Sequence, residues 1–189
     1  MTTDVTTYYL EMTDASALRP KLVKYQGLKI NQVHLPSPEF SRFLYTAVGG
    51  DWYWTDKLPW TYQQWLEWVD RSELQTWVAY VSGAPAGYVE LEGPADGNVE
   101  LVSFGLLPSF VGKGLGGQFL TVTIGKAWQM GASRVWLHTC TLDHPNALAN
   151  YLARGFRVYR EETSTQDLQD DTPGPWPGAR HLPSMRGAS

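Results

Sequence analysis

Apolar and polar positions along this chain repeat with two different periods. Period two predicts strands over residues 6–12, 74–81, 86–92, 99–107, 134–140 and 156–162, and in the first of these Tyr8 and Leu10 share a face. Apolar spacings of three and four predict helices over 38–48, 62–70, 114–130 and 144–154. Ser37 and Thr61 stand at N-cap positions, Pro38 suits a first helical turn, and Gly49-Gly50 stops that helix. Asp14 can cap a short helical segment over 15–18, which Pro20 ends. Residues 21–36 show no clear period. Ser82-Gly83-Ala84-Pro85 turns a hairpin. From Ser164 the chain becomes polar, then rich in proline and glycine, so one domain over 1–163 and an extended tail over 164–189 are expected.

The most informative stretch joins the strand over 99–107 to the long helix. Pro108 ends the strand, because proline has no N–H for a ladder. Val111-Gly112-Lys113-Gly114-Leu115-Gly116-Gly117 follows. Glycines at 112, 114, 116 and 117 leave the backbone uncovered, so several N–H groups can converge on one anion at a helix N-terminus. Lys113 adds a positive charge. A phosphate or pyrophosphate ligand is expected; a plain turn would need only one glycine. A Walker A loop fails, since Gly114 replaces the hydroxyl residue needed after Lys113. The dinucleotide fingerprint is met by Gly112, Gly114 and Gly117, but no acidic residue ends the next strand; Asp143 comes later.

A third pattern is a pyrophosphate loop for acyl-CoA. Over residues 86–160 the chain resembles the GNAT superfamily of acyl-CoA-dependent N-acyltransferases. Residues 111–116 fit that family's loop, with Val111 where Gln or Arg is usual. Residues 144–156 resemble its Asn-x-x-Ala-x-x-x-Tyr-x-x-x-Gly-Phe segment, with His144 in the Asn place. The resemblance implies a mixed α/β fold around a mostly antiparallel central sheet, flanked by helices, with splayed fourth and fifth strands. It implies acetyl-CoA as co-substrate, held by Val111, Gly112, Lys113, Gly114, Leu115, Gly116, Gly117, His144 and Asn146, its pantetheine arm pairing with Phe104–Leu106. An amine would attack the thioester directly in a ternary complex.

Length and composition bound these expectations. The chain has 189 residues, with 43% apolar and 18% charged, which suits a packed core. No apolar run reaches membrane-spanning length, and the first residues lack a basic and apolar leader, so a cytoplasmic location is expected. The lone Cys140 allows no internal disulfide. A net charge of −4 without basic runs argues against nucleic acid. His34, His144 and Cys140 make no metal spacing, so no metal is expected. A homodimer is a family-level expectation.

Chemistry needs a base, because an ammonium is no nucleophile. Glu100 lies 14 residues before Gly114 (114 − 100), a separation at which some GNAT members place a glutamate base. Alternation puts it on a face with Val102, Phe104 and Leu106, surroundings that would raise its pKa. His138, alternating with Trp136 and Cys140, could act as the base or bind the acceptor. Tyr151 stands where the family often places a tyrosine near the sulfur, and its phenol can protonate the leaving thiolate. Cys140 could carry the acyl group in a ping-pong route. The resemblance implies that the segment between the first two strands walls the acceptor groove, where Trp52, Tyr53, Trp54 and Trp60 could hold an apolar side chain or attract an ammonium. A non-catalytic acyl-CoA-binding module and a dinucleotide-binding protein are the other readings.

Overall fold

The computed structural model describes residues 2–22, 25–93, 96–168, 172 and 174. Seven strands and four helices run in the order β1 (Thr2–Met12), β2 (Leu28–Val33), α1 (Pro38–Gly49), α2 (Tyr62–Val69), β3 (Leu74–Val81), β4 (Ala84–Glu92), β5 (Asn98–Leu106), α3 (Leu115–Gln129), β6 (Arg134–Cys140), α4 (Ala147–Ala153) and β7 (Arg157–Asp167). They form one mixed sheet in the order β2-β3-β4-β5-β6-β1-β7, in which only β5 and β6 pair in parallel.

Most boundaries agree with the sequence periods to within a few residues. Three differences matter. β2 fills the stretch that showed no period; it is an edge strand paired only to β3, and its polar Lys29, Asn31 and Gln32 blur the alternation. β7 runs on to Asp167, past Ser164, because β1 supplies a ladder partner as far as Thr2. Within the proposed tail, Gly174 donates its N–H to the Gly50 carbonyl at 2.9 Å; apart from 172 and 174, residues 169–189 lie outside the described residues.

The caps form as the local sequence dictates. Ser37 accepts from the Phe40 N–H, and Thr61 with Gln64 makes a reciprocal capping box. Successive strand residues face opposite ways, and this builds two cores. Val89, Leu91 and Leu101 meet Phe119, Leu120 and Ile124 of α3. Tyr88 and Val78 on the other face meet Leu44 and Val48 of α1. Gly105 permits that second contact, since a Cβ there would lie 2.4 Å from a Val48 methyl.

A bulge in β5 resets one expectation. Glu90 pairs with Ser103 but Leu91 pairs with Leu101, so Val102 is the extra residue. Glu100 therefore shares a face with Ser103 and Gly105, on the α1 side. It does not share one with Phe104 and Leu106, which turn toward α3. Simple alternation fails here because one inserted residue shifts the phase. Downstream of Glu100 the β5–β6 ladder stops after Asn98↔Arg134, Val99↔Val135 and Glu100↔Trp136. These are the fourth and fifth strands of the sequence reading, and they splay as expected.

Beside the bulge lies a buried ion pair. Lys57 Nζ is 3.1 Å from Glu90 Oε2, with side chains 10% and 1% exposed. Ser103 and Ser41 hydroxyls approach the same carboxylate at 3.4 and 3.5 Å. Burial pushes the Lys57 ammonium below its usual range, and Glu90 partly offsets this. Four rings surround the ammonium: Trp68 at 3.6 Å, Trp60 at 5.4 Å, Tyr45 at 5.7 Å and Trp65 at 5.9 Å. Replacing Lys57 with Met should strand the Glu90 charge and cost about 3–5 kcal/mol in urea unfolding. The double variant Lys57→Met/Glu90→Leu should recover most of that loss; equal destabilisation of single and double variants would show that the pair is not coupled.

Candidate active site

The splay opens a cleft of about 950 Å³ that passes from the α3 side of the sheet to the α1 side. Its two ends carry different chemistry.

At the α3 end the wall is Val111, Gly112, Gly114, Gly116 and Gly117. Gly112 and Gly114 take φ of +77° and +82°, a left-handed conformation that a Cβ would oppose. Gly114 is the N-cap of α3 and offers no side-chain cap, so the first N–H groups of the helix keep no side-chain partner. Lys21 reaches this end and donates to the Gly114 carbonyl at 3.3 Å. Asn150 lines it too. The donor set fits a pyrophosphate. Two expected members do not line the cleft: Lys113 is exposed and lies over the Phe110 ring, and Leu115 points into the core. Lys21 is the lysine that lines this end; nothing in its local sequence marked it.

The middle is the open edge of β5. From Leu101 to Leu106 the strand has β4 as its ladder partner and none on the β6 side among the described residues. Phe104, Gly105 and Leu106 line the cleft, as do Tyr151, His144 and Asn146. Tyr151 is 8% exposed and packs edge-on against Phe104 and Phe156. Burial first, and Asp143 second, push its phenol well above the usual tyrosine range, so it keeps its proton. His144 packs against Trp52 with centroids 5.1 Å apart, and its Nδ1 accepts from the Asn146 N–H.

At the α1 end stand Trp52, Tyr53, Trp54, Asp56, His138, Cys140 and Asp143. The loop turns sharply: Tyr53 takes φ +58°, rare for a tyrosine, while the Trp52 and Trp54 N–H groups both donate to the Gly49 carbonyl. Trp60 is not in this wall; its ring packs on Trp65 and Trp68 around Lys57. Of the four aromatic candidates, three line the cleft and one faces the protein's own ammonium.

His138 and Glu100 form a pair, with Nδ1 and Oε1 3.5 Å apart and side chains 50% and 19% exposed. The Glu100 hydrogen bond, with the nearby charges of Glu100, Asp143 and Asp56, raises the His138 pKa above its usual value against the opposing effect of burial. Asp143 Oδ2 accepts from the Thr139 hydroxyl at 2.6 Å and the Cys140 N–H at 3.1 Å; Oδ1 lies 3.5 Å from the Trp54 indole N–H. Burial and Asp143 push the Cys140 thiol up, which disfavours the thiolate that a ping-pong route needs. Asp143, Asp56 and Lys21 were not singled out from sequence. Loop residues acquire such roles only through tertiary placement.

The acetyltransferase (GNAT) family model matches residues 34–156. The chain belongs to this family. Membership implies acyl-CoA-dependent acyl transfer. A search of curated protein sequences gives no match. Among solved structures, the chain is similar to a GCN5-related N-acetyltransferase from Sphaerobacter thermophilus, with 17% identity and a TM-score of 0.64 over 90% of this chain and 54% of that one. It is also similar to one from Kribbella flavida, with 20% identity and a TM-score of 0.62 over 87% and 58%. A third is an aminoglycoside acetyltransferase from an uncultured soil metagenomic sample in complex with sisomicin, with 14% identity and a TM-score of 0.54 over 76% and 93%. At these identities the likeness is one of fold. The chain spans little more than half the length of the first two.

The α3 end makes a direct prediction. Lys21→Met should weaken CoA binding about tenfold, the worth of one charge-assisted phosphate contact, whereas Lys113→Met should change it little. Calorimetry on the two variants checks this; the reverse order would return the role to Lys113.

Proposed function

We propose that this GNAT chain is an acetyl-CoA-dependent N-acetyltransferase that acetylates a small-molecule amine. One observation carries the reading. A glycine-rich strand-loop-helix, an open strand edge and His138 all line one cleft, with Glu100 Oε1 3.5 Å from His138 Nδ1. The N–H groups of residues 112–117 and Lys21 would hold the pyrophosphate, and the open edge at Phe104–Leu106 would pair with the pantetheine arm. Bound there, acetyl-CoA supplies an acetyl group activated as a thioester.

The protein's own residues do the proton work. Glu100 faces His138 Nδ1 and favours a proton there, which leaves Nε2 with a lone pair for the acceptor ammonium. His138 then takes the proton that would otherwise block attack, and Glu100 steadies the imidazolium. Glu100 thus acts through His138 and is a positioning residue. Tyr151 keeps its proton in the same cleft, so its hydroxyl can donate a hydrogen bond to the leaving sulfur. A backbone N–H near Leu106 faces the developing oxyanion. A solved structure with this fold is an aminoglycoside acetyltransferase in complex with sisomicin, which supports a small-molecule acceptor here.

The pH dependence follows from the sign of the His138 shift. A base works when unprotonated, and Glu100 raises the pKa of His138. The rate should therefore climb with pH through a midpoint above the usual histidine value of about 6.5. Glu100→Gln should move that midpoint to lower pH and reduce the maximal rate. His138→Gln should remove the limb and lower kcat by about 10²–10⁴-fold. A pH–rate profile that Glu100→Gln leaves unchanged would refute the pair.

A further inference from the structure

One cleft-lining side chain ties together the elements on the two sides of the splay. Trp54 belongs to the α1–α2 connection, and its indole N–H lies 3.5 Å from Asp143 Oδ1 in the β6–α4 connection. The indole rests on Gly49, the last residue of α1. A Cβ at Gly49 would lie 2.2 Å from Trp54 Cδ2 and 2.3 Å from Cγ and Cε3, so only glycine leaves the ring that seat. Tyr45 and Tyr88 pack against the same ring, with centroids 5.5 and 6.3 Å away. Asp143 is itself fixed by the Thr139 hydroxyl and the Cys140 N–H. The ring is therefore held underneath, at its side and at its far end.

The space behind the open edge of β5 has no depth. Tyr88 is the ladder partner of Gly105. Val48 of α1 lies so close that a Cβ on Gly105 would be 2.4 Å from its methyl. Tyr45 and Val48, both buried, line the cleft together with Trp54. A group that follows the strand edge past Phe104–Leu106 to the α1 side meets this floor, and Trp54 is the part of it that reaches toward β6. A packed and anchored floor answers an added methylene with strain. An apolar space of the same lining would answer it with burial.

We propose that Trp54 faces the acyl group and sets its length, so that chains longer than acetyl run into the indole. This rests on the cleft being the acyl-CoA site. It assigns Trp54 to the donor and leaves Trp52 and Tyr53 to the acceptor.

The test needs no acceptor, and its readout is binding. The whole chain is titrated calorimetrically with CoA and with acetyl-, propionyl-, butyryl- and hexanoyl-CoA. Butyryl-CoA should bind the native chain about tenfold more weakly than acetyl-CoA. In Trp54→Ala the order should invert, each added methylene tightening binding about threefold. Trp54→Leu keeps an apolar filler over Gly49 and should fall between the two; it also serves if the alanine variant does not fold. CoA without an acyl group should bind all three proteins alike, since its phosphates belong to the other end of the cleft. A native chain that binds the whole acyl series evenly, or a falling series that neither variant relieves, overturns the proposal while CoA binding leaves the acyltransferase reading standing. If CoA itself does not bind the native chain, that reading falls and the proposal with it.

Discussion

The Lys57–Glu90 pair is the constraint on which the working end of the molecule depends. The two residues are 33 positions apart (90 − 57), one in the connection between α1 and α2 and the other in β4. Their contact pins that connection to the sheet. The pair need not be worth more than an apolar replacement, because desolvation consumes most of the Coulomb attraction. Its effect is on geometry. Once Lys57 is drawn under Trp60, Trp65 and Trp68, the residues just before it must pass over the splay, and Trp52, Trp54 and Asp56 become a wall. Ser103, the third member, stands next to the bulged residue, so the same contact meets the strand where the cleft opens.

The bulge and the splay then divide the labour. Below the bulge, β5 and β6 are joined and the core on the α3 side is continuous. Above it they part, and a passage crosses the sheet. Backbone N–H donors gather at one mouth because a helix begins there without a capping side chain. Carboxylates gather at the other, on β5 and on the two connections that flank it. The reacting atoms would meet between them, where the backbone edge of β5 is open and Tyr151 and His138 come in from opposite faces.

What the sequence revealed was local. The glycine loop, the caps and the strands over 74–81 and 134–140 follow from neighbouring residues, and their periods are long enough to read. β2 was hidden because an edge strand with polar residues on both faces breaks the alternation. The face of Glu100 was misread because a bulge adds a residue without any compositional sign. Trp54 and Trp60 looked equivalent in a cluster of indoles; only the pull of Lys57 on Trp60 separates them. Lys21 and Asp143 owe their place to long-range packing, which no spacing encodes.

The proposed function stands on the splayed strands and the glycine loop forming an acyl-CoA site. Calorimetric titration of the unaltered chain with acetyl-CoA, and separately with NADH, tests it most directly. Saturable one-to-one binding of acetyl-CoA and no heat from NADH are expected. Absence of acetyl-CoA binding, or equal binding of both nucleotides, would contradict it.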